Sequence, residues 1–382
     1  MNVTFSVAAF VEAAKAIRNA RDTTSRNELL DCALVDIAGG SMAMTMSNLD
    51  LEIRAIVECR AEGSVRVAIP SAVLDFFAVR AGAGEAEGRL EFSDGLHSVT
   101  ARHGRARMTI AILPADAFPV FDMRPPTWSF TMRGHEFCTM LATAVKAIPA
   151  ETTRPYLCGV FLNVRDGEIH ATATDGHRMH VASRSLPEGA EKMPGRSSGV
   201  PGVIIPDGAI GEMLKVFSGD ESELSIAGTD ARIVVEGAMI RMTSKLVDGT
   251  YPDYARLLVA PGPFRVGIEA PHLDQALASL AVVPRTDPKG RSMANRPVRF
   301  TAETDAILIE IRGDTGDADI RVPAIVEGSG EPFALNARLL KEAVAVAGGG
   351  RLTLAPSEND ATALRLIPQL DDRAFVIMQL RW

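Results

Sequence analysis

The stretch Ala173-Thr174-Asp175-Gly176-His177-Arg178-Met179 sets a carboxylate, an imidazole and a guanidinium within four positions, the residue types of proton transfer. An acid/base pair of Asp175 and His177 would need a nucleophile or a phosphate cradle beside it. The sequence offers no nucleophile with a partner and no glycine-rich loop opening a helix. His170, Asp175, His177 and His180 also have the ligand chemistry of a metal site. Yet side chains of 169–174 alternate between faces, and Asp175-Gly176 reads as a turn, so nothing makes the four converge. No metal and no other cofactor is expected. The run Gly348-Gly349-Gly350 follows a helix and precedes a strand, which is the place of a C-cap and turn. A non-catalytic surface pocket fits better. Leu157, Met179, Pro252, Leu257, Met378 and Leu380 supply soft apolar surface, and His177, Arg178 and Arg256 a polar rim. Plain core is the alternative for the apolar members, and it is the one these residues favour when taken without any resemblance.

The elements that must position these residues recur along the chain. A strand over 3–7 leads into apolar residues at helical spacing from Phe10 to Arg18. Val65 to Ile69 forms a strand entering Pro70-Ser71, with Ser71 a candidate N-cap for a helix over 72–80. The order returns with a strand at Phe130–Met132, a helix from His135 to Ile148, strands from Ile169 to Val181, and a second helix opened by Ile204 to Asp207. A third round starts at Phe264, takes a helix from about Pro271 to Val283, and repeats the second helix after Phe333 to Asn336. Landmarks keep one period: Pro70 and Pro206 are 136 apart, Leu90 and Leu224 134, Pro119 and Pro252 133, Leu224 and Leu352 128. The fold class is therefore α+β, with three repeated domains at 1–123, 124–259 and 260–382. Each has two helices packed on antiparallel sheets.

At 382 residues, three such cores need no disulfides, and Cys32, Cys59, Cys138 and Cys158 form no paired motif, as in a reducing compartment. No window of 18 uninterrupted apolar residues occurs, so a cytoplasmic protein without membrane association is expected. The net charge of -8 argues against wholesale attraction to nucleic acid, but not against one basic face. Lys15, Arg18, Arg80, Lys146, Lys215, Arg338 and Lys341 fall on the helices, while acidic residues crowd the strands and turns; this is either a basic helical layer on an acidic shell or, as any one of these residues taken alone suggests, cations that simply solvate exposed helix faces.

Four stretches together resemble the bacterial sliding clamps, the beta subunits of DNA polymerase III. They are Thr174-Asp175-Gly176-His177-Arg178-Met179, the segment from Ser244 through Asp248-Gly249-Thr250-Tyr251-Pro252-Asp253-Tyr254, the ending Phe375 to Arg381, and Leu113-Pro114-Ala115-Asp116-Ala117-Phe118-Pro119. The resemblance implies a processivity factor without catalytic activity: a homodimer joined head to tail, domain 1 to domain 3, into a ring around duplex DNA. Helices would line the hole, where Lys15, Arg18, Arg80, Lys146, Lys215, Arg338 and Lys341 give weak, salt-dependent, sequence-independent contact. Peptide motifs of the polymerase alpha subunit, the clamp loader and other partners would dock on Arg154, Leu157, Thr174, Gly176, His177, Arg178, Met179, Pro252, Arg256, Leu257, Val376, Met378, Gln379 and Leu380. The dimer interface would fall on Met108, Ile110, Val282 and Val283. Departures are also visible. Thr23 to Leu29 replaces the family's Leu-Pro-Ile segment, Gln379 stands for a proline, Trp382 ends the chain, and Arg285 to Pro297 is long and polar. These leave two further readings, a divergent paralogue with an altered partner set and an enzyme using Asp175 and His177.

Overall fold

The computed structural model describes residues 1–382 except 83–85, 122–123, 196–199, 259, 283–295, 313–315, 358–361 and 371. Among the described residues six α-helices occur: α1 (Val7–Ile17), α2 (Ala72–Arg80), α3 (Gly134–Val145), α4 (Asp207–Phe217), α5 (Ala270–Leu280) and α6 (Ala337–Val346). Each follows directly on a short strand, in turn Asn2–Ser6, Val65–Pro70, Trp128–Arg133, Gly202–Pro206, Arg265–Glu269 and Phe333–Asn336, except that Ser71 intervenes before α2. The junctions are set by caps where the sequence supplies one. Ser6 Oγ accepts from Ala9 N at 3.4 Å, and Asn336 Oδ1 accepts from Arg338 N and Leu339 N at 3.0 and 3.3 Å. Ser71 occupies the N-cap of α2, but its hydroxyl does not cap. It donates to Asp31 Oδ1 at 2.9 Å and accepts from Arg21 Nη1 at 3.2 Å, and the Ser71 backbone is already helical (φ −56°, ψ −23°) where a capping residue is extended. The third helix stops at Val145, three residues before the expected Ile148, and single turns through Ala147 and Ile148 complete it.

The chain forms two compact units. The first comprises Met1–Glu136 and Gly208–Leu246, and a thirteen-stranded antiparallel sheet runs through it. Phe5, Phe10 and Phe77 join the opening strand to α1 and α2, with ring centroids 4.7 to 5.1 Å apart. The strand Ile240–Lys245 pairs with Leu51–Ala61, Met242 opposite Ile53, which makes the sheet continuous between the first two repeats.

The second unit comprises Phe137–Asp207 and Val247–Trp382. It holds a nine-stranded and a four-stranded antiparallel sheet. Leu273, Leu277 and Leu280 of α5 and Leu340 and Val344 of α6 share one core with Val298, Phe300 and Ile309 of the smaller sheet and Leu352, Leu354 and Phe375 of the larger. At roughly 2 kcal/mol for each leucine or phenylalanine so buried, this core needs no disulfide, and the four cysteines are unbridged. Among the described residues no helix is long and apolar enough to cross a membrane.

Candidate functional site

The turn that carries Asp175, His177 and Arg178 joins the strands Glu168–Thr174 and Arg178–Ser185. Gly176 sits at φ +87°, a left-handed conformation that glycine adopts without a Cβ penalty. Asp175 Oδ1 accepts from His177 N at 2.9 Å and Arg178 N at 3.0 Å, so the carboxylate builds the turn. Its Oδ2 accepts from Arg178 Nε at 3.1 Å. The guanidinium, with only 5% of its side chain exposed, also bonds Glu342 of α6, which in turn pairs with Arg338 at 3.0 Å. Burial raises the Glu342 carboxyl, but the hydrogen bond and charge of Arg178, then those of Arg338, outweigh it and hold Glu342 below the usual carboxylate range. Arg178 thus ties Asp175 on one side to Glu342 on the other, which suits a rigid wall and not proton transfer.

The two histidines nearest in sequence are committed elsewhere. His180 is buried and its Nδ1 lies 3.0 Å from the Thr143 carbonyl oxygen, which can only accept, so Nδ1 carries the hydrogen. Burial lowers its pKa from 6.5 to about 4. His170 Nδ1 lies 3.1 Å from the Tyr254 hydroxyl and its Nε2 3.3 Å from Glu168. Among the described residues no three His, Cys, Asp or Glu side chains gather as metal ligands.

The segment Tyr251-Pro252-Asp253-Tyr254 works from the inside. Tyr251 and Tyr254 are buried, Phe161 stacks on Tyr251 at 4.9 Å, and the Tyr254 hydroxyl donates to Asn163 Oδ1 at 2.9 Å. Asp253 pairs with Arg165 at 3.0 Å and caps the short turn Tyr254–Leu257.

The structure divides the expected pocket residues. Leu157, Met179 and Val376 join Tyr251 and Tyr254 in a closed apolar cluster, with Met378 packed against it. Thr174 is buried too, its hydroxyl donating to the Arg178 carbonyl at 2.7 Å. Arg154, Pro252, Arg256 and Leu257 are exposed and do not line the open space beside the turn. That space is a groove of about 300 Å³ lined by Asp175, His177, Pro297, Asn336, Arg338, Leu339, Met378, Leu380 and Arg381. Its far wall is the chain ending, where Met378 N donates to the His177 carbonyl at 2.8 Å and Gln379 N to that of Thr362 at 2.7 Å. The sequence marks Asn336 only as the opening of a helix and does not mark Leu339, so neither is assigned to a pocket there. The available signal was Asn336 as the N-cap of the sixth helix, which fixes where Arg338 and Leu339 emerge.

Of the helix cations, Lys15, Arg18, Lys215 and Arg338 meet carboxylates, Glu12 at 2.7, Asp75 at 2.8, Glu212 at 2.7 and Glu342 at 3.0 Å. Asn19 donates to Glu212 at 2.8 Å, and a cavity of about 560 Å³ between α1 and α4 has Lys15 and Lys215 on its rim. Arg80 ends α2, Lys146 follows α3 and Lys341 lies within α6. Met108 and Ile110 are half-buried on Ala106–Ala111, the terminal strand of the thirteen-stranded sheet. Val282 is 78% exposed, whereas Val283 and most of 285–297 lie outside the described residues.

Residues 131–253 match the family model for the DNA polymerase III beta subunit, central domain. The beta sliding clamp of Caulobacter vibrioides is 25% identical over 393 aligned positions that cover all of both chains. That of Pseudomonas aeruginosa is 25% identical over 73% of this chain and 72% of its own. Among solved structures, a sliding clamp (DNA polymerase III subunit beta) from Bartonella birtlesii bound to griselimycin superposes with a TM-score of 0.87 over the whole of both chains at 22% identity, a likeness of fold. The central stretch thus matches the model of that family's central domain, the full-length relatives are beta sliding clamps, and the fold is like that of solved clamps.

Proposed function

We propose that this chain is a DNA sliding clamp, a non-catalytic processivity factor that encircles duplex DNA and tethers a replicative polymerase to it. The observation that carries this is the end-to-end correspondence with relatives named as beta sliding clamps. Two copies join head to tail into a ring in the cytoplasm, with Met108 and Ile110 at one face of the joint and Val282 and Val283 at the other. A terminal strand with open hydrogen-bonding groups is a ready template for a second chain. The domains are 1–123, 124–259 and 260–382, each with two strand-into-helix units. Sheet pairing that crosses both seams, Met242 with Ile53 and Met179 with Val376, supports this division and accounts for two compact units in place of three.

Docking takes place at the groove beside the Asp175–Arg178 turn and the residues expected around it, from Arg154 and Leu157 to Gln379 and Leu380. Leu339, Met378 and Leu380 suit an apolar anchor, and His177, Arg338 and Arg381 favour an acidic neighbour in the same segment. The polymerase alpha subunit and the clamp loader are the natural bearers of such segments. One observation favours a divergent clamp: four of the seven cations assigned to DNA are matched by nearby carboxylates, which weakens the attraction that a protein of net charge -8 can offer phosphate.

That charge balance gives the test of the DNA-facing surface. Glu12→Gln with Glu212→Gln releases Lys15 and Lys215, and is expected to tighten binding to random-sequence duplex about threefold to tenfold at low salt. The gain should vanish as salt rises. Fluorescence anisotropy across a salt series reads it, and an unchanged affinity would remove α1 and α4 from the DNA-facing surface.

A further inference from the structure

The last residues of the chain form a strap between two sheets of the second unit. Met378 N is bonded to His177 in the turn beside the larger sheet, and Leu380 N donates to the Ala334 carbonyl at 2.8 Å on the edge strand Phe333–Asn336 of the smaller one. Between and beyond these bonds, Met378, Leu380 and Arg381 form one wall of the groove. Past Leu380 the anchor is a ring. Register pairs Arg299 with Glu310, and Arg312 lies two residues beyond Glu310, so both arginines rise from one face of the smaller sheet. Their Cζ atoms stand 6.0 and 5.2 Å from the centroid of Trp382, within reach of cation–π attraction. Pro297, two residues before Arg299 on the same face, lines the groove, so the ring is held next to the wall it ends.

A wall made of a single extended segment is only as ordered as its anchors. If it must be ordered at the moment of docking, the loss of freedom is subtracted from affinity. We infer that Trp382, clasped by Arg299 and Arg312, is the positioning residue that holds the Leu380–Arg381 wall of the groove in its binding form. This rests on the docking assignment of the groove, which it extends by making a residue outside the groove set the affinity inside it. Trp382 is 39% exposed, so its replacement leaves the core intact.

The probe is griselimycin, which the related clamp from Bartonella birtlesii binds. Calorimetry on the full chain compares the unaltered protein with Trp382→Ala, Trp382→Phe and Met378→Glu, while hydrogen exchange follows the Leu380 amide without ligand. Trp382→Ala is expected to weaken griselimycin about tenfold and to speed exchange at Leu380 by a similar factor. Trp382→Phe, which keeps a weaker aromatic face, should fall between. Met378→Glu should abolish binding and so place the probe in the groove. Equal affinity in Trp382→Ala, or unchanged exchange at Leu380, would overturn the role of Trp382 while the docking assignment stands. Absent binding to the unaltered protein, or binding that survives Met378→Glu, would instead overturn the docking assignment and with it the inference drawn from it.

Discussion

Arg178→Ala is expected to destabilise the second unit by about 3–5 kcal/mol, the range for removing one partner of a buried ion pair. The arginine is the shared cation of two carboxylates, and its side chain is 5% exposed while those of Asp175 and Glu342 are 15% and 32% exposed. Without it the carboxylates face each other across a site with little water, and the turn loses its link to α6. The same change should loosen the groove, because Asp175 and Arg338 both line it and both are held through this network. Urea unfolding reads the loss as a lower midpoint in the transition of the second unit. A control separates uncompensated charge from lost packing. Arg178→Met combined with Asp175→Asn and Glu342→Gln removes all three charges and should recover most of the stability. A single replacement that costs under 1 kcal/mol would show the network to be unimportant to the wall.

The second large effect follows pH. His180 takes up a proton at its ordinary 6.5 in the unfolded chain but only near 4 when folded, because burial disfavours the imidazolium. Between those values the unfolded state binds more protons. Stability is therefore fully present above about pH 6.5, falls as pH drops toward 4, and changes no further below that on account of this residue. The total is on the order of 3 kcal/mol. Glu342 acts in a different window: its lowered pKa stabilises the fold above the ordinary carboxylate value, and that contribution is lost only as pH falls through the folded pKa. In His180→Phe the slope between pH 6.5 and 4 should disappear. Stability at pH 7 should drop by about 1 kcal/mol, since the Thr143 carbonyl loses its donor. Denaturant midpoints for both proteins across this range decide it, and equal slopes would assign the pH dependence to other groups.

Much of the fold could be read in advance because its signals are local. Strand alternation passing into helical spacing, as from Val3 to Ile17, recurs with enough order to reveal three repeats, and the glycines after α6 take left-handed φ values of 71° to 91° as a turn requires. What escaped was long-range. The sequence shows Arg178 beside Asp175, but its other partner, Glu342, lies 164 residues away, so Arg178 reads as a rim contact when it is a buried tie behind the groove. Tyr254 likewise finds Asn163 across 91 residues. Strand edges accept almost any neighbour, so periodicity gave no warning that Ile240–Lys245 would pair with Leu51–Ala61 and merge repeats into one sheet. For the groove, Met378 and Leu380 were legible as soft apolar surface, and the structure leaves both half-buried. Leu339 and Pro297 were not, since a leucine after a helix cap and a proline at a strand start look like core and punctuation until the chain closes around them.

A ring holds DNA by topology, so retention is what should be measured. The protein is sized in solution and then loaded by its cognate loader on a nicked circular plasmid, and bound protein is followed by gel filtration before and after the circle is cut. A dimer that stays on the circle and leaves when the DNA is linearised is the result expected. A monomer, or a protein released equally from circular and linear DNA, would overturn the clamp assignment.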